Sequence, residues 1–126
     1  MNMKQIIAVD FDGTIVEHDF PGIGKPIRYA VEILKGWQQK GNLVTLWTCR
    51  GGYELAEALT WCSKEGLRFD TVNSTAYGAV GYGVPKIVAT YYIDDRSIEY
   101  RMRTNNGNLT PEIWLEIATF LEVDIG

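Results

Sequence analysis

The chain is poor in the residues that most often announce a function. Histidine occurs once in 126 residues and cysteine twice. Cys49 and Cys62 show no zinc-site spacing, and one pair makes no disulfide framework. Reduced thiols in a cytosolic protein are the simple reading. A surplus of basic charge is also missing: 12 Lys and Arg stand against 16 Asp and Glu, a net charge of −4. That argues against a nucleic-acid partner, because such proteins normally carry a basic face. No apolar run approaches the length that spans a bilayer, so no membrane partner is expected. The stretch from Met1 to Asp10 holds one Lys and a short apolar run ending in acid, too little for a signal peptide. The expectation is a cytoplasmic protein. Repeats, low-complexity tracts and long linkers are absent as well. What is present is apolar content of 46%, enough for the core of a single domain over residues 1–126.

That apolar content is arranged in a recognisable order. Gln5 to Val9 is short, continuously apolar and β-branched, as expected of a strand buried on both faces. Asp10 to Thr14 ends it with acids and a glycine. Pro21, Gly22, Gly24 and Pro26 mark residues 17–26 as a loop. Ile27, Ala30, Val31, Leu34 and Trp37 then recur at helical spacing, with Gly41 just beyond. Leu43 to Trp47 reads as a second buried strand. Leu55, Leu59 and Cys62 mark a second helix, closed near Gly66. Phe69 to Val72 reads as a short third strand, residues 73–85 as a Gly- and Tyr-rich loop, and Ile87 to Ile93 as a fourth strand. Thr104 to Asn108 is turn-like. Thr110 then caps a last helix with Pro111 at its first position.

Strands alternating with helices predict an α/β domain: a Rossmann-like, doubly wound, mostly parallel sheet. In such sheets ligands bind beyond the carboxyl ends of the strands. Asp10/Asp12, Thr48/Arg50 and Asp94/Asp95 each follow a predicted strand, so the topology gathers them at one edge. Four carboxylates there repel one another unless a cation sits among them or some are protonated. Oxygen ligands without His or Cys suit Mg²⁺. Lys86 can neutralise a phosphoryl group, Thr48 offers a hydroxyl donor, and backbone N–H groups around Gly13 can form an anion-binding concavity. One carboxylate of the Asp10/Asp12 pair can attack phosphorus. The other can protonate a leaving group and then activate water.

Asp10-Phe11-Asp12-Gly13-Thr14 resembles the first motif of the haloacid dehalogenase superfamily. Thr48 after its apolar strand looks like the second motif, Lys86 like the third and Asp94-Asp95 like the fourth, in the family's order across residues 5–96. The resemblance implies a Mg²⁺-dependent phosphomonoester hydrolase working through an aspartyl phosphate. Asp10 is then the nucleophile and a metal ligand. Asp12 is the acid/base, with its backbone carbonyl on the metal. Thr48 and Lys86 hold the phosphoryl group. Asp94 binds Mg²⁺ directly, and Asp95 binds it through water or orients the site. The second acid of the first motif resembles the phosphatase branch. Lys86 lies eight residues before Asp94, and Tyr92 to Arg96 is similar to the 5′(3′)-deoxyribonucleotidase branch. Those enzymes carry a cap after the first motif. Only 33 residues separate Thr14 from Thr48 here, so the chain resembles a capless member.

The neighbouring residues carry quieter expectations. Arg50 either contacts substrate or covers the surface at a helix start. Arg96 pairs with an acid. Cys49 is buried and inert, and His18 is exposed and idle. Tyr91 and Tyr92 pack in a strand, while Tyr77 and Tyr82 are open to substrate or subunit contact. The partner is a phosphorylated substrate, and a homo-oligomer in which one subunit covers another's site is compatible with an open pocket. Two other functions fit the same pattern: a non-enzymatic phospho-acceptor and a binding module without catalysis. The acceptor resembles a response-regulator receiver, but its order of Asp and Thr is different. A mutase is disfavoured because nothing in either gap serves as a cap to exclude water.

Overall fold

The structure of the chain, a computed structural model, describes residues 4–76 and 86–126. Its elements run β1 (Ile6–Val9), α1 (Ala30–Gln39), β2 (Leu43–Leu46), α2 (Gly52–Lys64), β3 (Thr71–Val72), β4 (Tyr91–Ile93), α3 (Ile98–Arg101) and α4 (Pro111–Leu121). The four strands form one all-parallel sheet in the order β3-β2-β1-β4, flanked by helices. This is the Rossmann-like, doubly wound α/β arrangement that the alternation of elements predicts. All of β1 is buried, as a central strand covered on both faces must be.

The helices arise where the periodicity places them. α1 buries Ala30, Val31, Ile33, Leu34 and Trp37. α4 buries Ile113, Trp114, Ile117, Ala118 and Leu121, and the Thr110 hydroxyl caps it by accepting from the Ile113 N–H at 3.2 Å. Together with Phe11 and Ile15 these side chains make one continuous core. Fully buried aliphatic residues such as Ile7, Ile33 and Leu34 contribute about 1.5–3 kcal/mol each through the water they leave.

Four elements differ from the sequence expectation, among them β3, which is confined to Thr71–Val72 rather than starting at Phe69. β2 stops at Leu46, and Trp47 emerges at 42% exposure, although its N–H still donates to the Val9 carbonyl at 2.8 Å. β4 is three residues long. The Val88 N–H goes to the Thr75 hydroxyl at 3.0 Å, and the chain meets β1 only from Thr90, whose N–H donates to the Ile6 carbonyl at 2.8 Å. The short helix α3 follows β4 on a stretch with no apolar stripe, and it buries none of its residues. Tyr77, Tyr82 and most of the 73–85 loop lie outside the described residues. No helix among the described residues is long and apolar enough to cross a membrane.

Candidate functional site

The strand order places the site. The chain steps from β1 to β2 to β3 in one direction and then returns to the other side of β1 as β4. The crevice at such a reversal, beyond the carboxyl ends of the strands, is where ligands enter doubly wound sheets. Val9 pairs with Ile93 in register, so the next residues, Asp10 and Asp94, leave the sheet side by side. The Asp10 N–H donates to the Ile93 carbonyl at 3.0 Å and fixes that alignment. Asp95 follows and is buried, at 1% exposure.

Asp10, Asp94 and Asp95 each offer a carboxylate oxygen, and the three oxygens lie within 4.8 Å of one another. Such crowding has electrostatic consequences. Burial, then the hydrogen bond with Asp95, then the charge of Asp94 push the Asp10 carboxyl up to about 8. Asp94 is also raised, chiefly by burial. Burial pushes Asp95 upward as well, but hydrogen bonds from Asp10 and His18 outweigh it and hold Asp95 below the usual carboxylate range. With no cation among them, these opposite shifts favour a proton on Asp10 over one on Asp95. All-oxygen donors so close together fit one hard divalent cation, whose charge would replace that proton.

Asp10, Trp47, Thr48, Cys49, Asp94 and Arg96 line a pocket of about 180 Å³. The Thr48 hydroxyl accepts from the Arg50 N–H at 3.1 Å, and its backbone N–H donates to the Asn73 carboxamide at 2.8 Å. Both bonds steady it while its own hydroxyl proton remains to be given. Arg96 brings a cation to this pocket, and its N–H donates to Asp94 Oδ1 at 2.8 Å. Lys86 is exposed and is not among the residues lining this pocket, where Arg96 is the cation present. Arg96 follows directly on the Asp94-Asp95 turn, whereas Lys86 precedes a segment that enters the sheet only four residues later.

Asp12 takes a different course. Its carboxylate turns to Arg50, with Nε to Oδ2 at 2.8 Å and Nη2 to Oδ1 at 2.7 Å, and it does not join the carboxylate trio. Arg50 is 3% exposed and makes a two-pronged ion pair in the interior, so neither a surface cover nor a substrate contact describes it. Gly13 also differs from expectation. Its N–H donates to the Val16 carbonyl at 2.7 Å rather than facing an anion. Its importance is steric: φ is +82°, and a Cβ there would stand 2.2 Å from His18 Nε2 and 2.9 Å from Asp95 Oδ2.

The residues expected to be idle are not. His18 Nε2 lies 3.0 Å from Asp95 Oδ2, and its backbone N–H is held by Asn108 Oδ1 at 2.8 Å. Arg101 Nη1 approaches the same Asp95 oxygen at 3.5 Å. Cys49 is exposed and lines the pocket, because the chain turns outward after Leu46. The Thr14 hydroxyl receives the Asp95 N–H at 3.1 Å and donates to Asp10 Oδ2 at 3.4 Å. The indole of Trp114 donates to the Thr14 carbonyl at 2.8 Å and so braces this loop from α4. No local pattern marks the pairings of His18 and Thr14 with Asp95 or of Trp114 with Thr14, since each spans 77 residues or more.

Fold and site together define a Rossmann-like α/β protein with an acidic trio at its topological switch point. No family model and no curated protein matches the chain. It is similar to the solved structure of a conserved protein coded by a locus of Bacteroides thetaiotaomicron, with 38% identity over 94% of this chain and 95% of that one, and a TM-score of 0.71. The chain belongs to the same family as that protein, which is described only as conserved.

Proposed function

We propose that the chain is a Mg²⁺-dependent phosphomonoester hydrolase of the haloacid dehalogenase type. The observation that carries this reading is the register pairing at the switch point. It sets Asp10 and Asp94 side by side in a pocket that also presents Thr48 and Arg96, with Asp95 buried behind them. Asp10, Asp94 and Asp95 would hold the cation, which supplies charge to offset that of the phosphoryl oxygens. The Asp10 carboxylate oxygen attacks phosphorus, the bond to the ester oxygen breaks, and Asp12, which must enter this step in its protonated form, gives its proton to the departing oxygen. Asp12 then removes a proton from water. The water oxygen bonds to phosphorus, the Asp10–phosphorus linkage breaks, and phosphate leaves with Asp10 restored. Thr48 and Arg96 bind the phosphoryl oxygens.

Inorganic phosphate release from nucleotides, sugar phosphates and phosphopeptides tests this, with and without Mg²⁺, beside Asp10→Asn. Release that needs Mg²⁺ and disappears in the variant is expected. Full turnover by Asp10→Asn rules out the covalent step. The grip of Arg50 on Asp12 favours one second reading, a phospho-acceptor whose aspartyl phosphate persists. A long-lived phosphoprotein with little free phosphate would select it.

A further inference from the structure

Arg50 is the most heavily engaged side chain near the site. A guanidinium has five N–H donors and, when buried, needs an acceptor for each. Here Nε and Nη2 hold the two oxygens of Asp12, Nη2 also reaches the Gly22 carbonyl at 2.6 Å, and Nη1 reaches those of Pro21 at 3.3 Å and Glu54 at 3.2 Å. The rings of Phe11 and Phe20 each lie 5.1 Å from its central carbon. One side chain thus ties together the loop after β1, the loop at Phe20–Gly22 and the start of α2.

Stability alone does not call for this arrangement. Replacing a buried ion pair by apolar groups of equal volume is often neutral or stabilising. What the pair does supply is direction. Two parallel hydrogen bonds fix both the plane and the rotation of the Asp12 carboxylate, and each oxygen keeps a lone pair for a reacting group. A lysine offers a point charge and cannot reproduce the fork or reach the three carbonyls together.

We propose that Arg50 is the positioning residue of Asp12, and that it makes the setting of this carboxylate depend on the Phe20–Gly22 loop. The inference rests on the hydrolase reading of Asp12. A ligand that presses on that loop then moves the acid/base through Arg50. Phe20 is 58% exposed, so a substrate can touch the loop without entering the core.

The test compares kcat/KM with Mg²⁺ for p-nitrophenyl phosphate, whose leaving group needs little protonation, and for glycerol phosphate, whose leaving group needs it. The proteins are the wild type, Asp12→Asn, Arg50→Lys, the double variant and Phe20→Ala, each with its melting curve. Arg50→Lys is expected to lose ~10- to ~100-fold more on the alkyl ester than on the aryl ester. Added to Asp12→Asn it is expected to cost no more than about a factor of two, because both act through one group. Equal losses on the two esters, or losses that multiply in the double variant, overturn the inference. If Arg50→Lys does not fold, Phe20→Ala decides: a smaller loss with the same bias supports it, and an unbiased change or none overturns it. A wild type that hydrolyses neither ester in a Mg²⁺-dependent way overturns the hydrolase reading itself, a result distinct from those.

Discussion

At the scale of single residues, the two cysteines separate cleanly. Burial, then the charge of Glu65, push the Cys62 thiol up to about 12, and it faces the core from α2. Cys49 is exposed beside Thr48 in the pocket. Thiolates are the reactive form, so native protein treated with iodoacetamide should be modified at Cys49 alone, and at Cys62 only after unfolding. On the proposed hydrolase reading, a carbamidomethyl group on Cys49 fills the space a phosphoryl group would take, so the modified protein should lose most of its phosphate release. Vanadate should slow the modification. Full activity after complete modification of Cys49 would place the substrate elsewhere. Asp10, Asp94 and Asp95 were legible from sequence because each follows a short apolar run that a parallel sheet must bury. The partner of Asp12 was not legible: Arg50 lies 38 positions away, and only the folded chain brings the two together. Nor does spacing distinguish Arg96 from Lys86. The choice depends on how early β4 enters the sheet.

At the scale of elements, the loop after β1 is held from several sides. Gly13 accepts the Leu109 N–H at its carbonyl at 2.8 Å, donates to Val16, and makes room for His18 against Asp95. Gly13→Ala meets two obstacles, a left-handed φ and a Cβ within 2.2 Å of His18 Nε2. The backbone strain costs about 1–3 kcal/mol, and relief of the clash requires His18 to leave Asp95. Thermal melting should fall by several degrees, and a measurement showing no loss would contradict the geometry. Helical periodicity made α1, α2 and α4 readable, and the Thr110-Pro111 cap marked the start of α4 within a residue. The ends of β2 and β4 and the existence of α3 were not readable. They depend on which amides find partners across the sheet, as the Val88 N–H finds the Thr75 hydroxyl. Apolar content alone favoured longer strands at both places.

At the scale of the whole molecule, the acidic trio couples folding to pH and, on the proposed reading, to metal. In the metal-free protein the Asp10 carboxyl sits at about 8 against its ordinary 3.8, and Asp94 is displaced in the same direction. The folded state then binds more protons than the unfolded state across that window, so stability falls as pH rises. This contribution is fully present below the unfolded value and is gone once pH has passed the folded value. Asp95 is displaced downward, so its contribution is present above 3.8 and is lost only under more acidic conditions. The two effects therefore act in different windows. Metal-free protein should melt at a lower temperature at about pH 8 than at about pH 5, with the decline lying between those limits. Mg²⁺ bound at the trio, as proposed, should reverse the trend, since ligand carboxylates release their protons to bind an ion and an ion held only by the folded state stabilises it. Its stabilising effect should accordingly be small near pH 5 and largest near pH 8. Melting curves across this range, in chelator and in saturating Mg²⁺, measure both slopes. A metal-free protein whose melting temperature is flat or rises with pH would show that the trio carries no such proton. A Mg²⁺ effect independent of pH would show that the ion binds somewhere other than Asp10, Asp94 and Asp95.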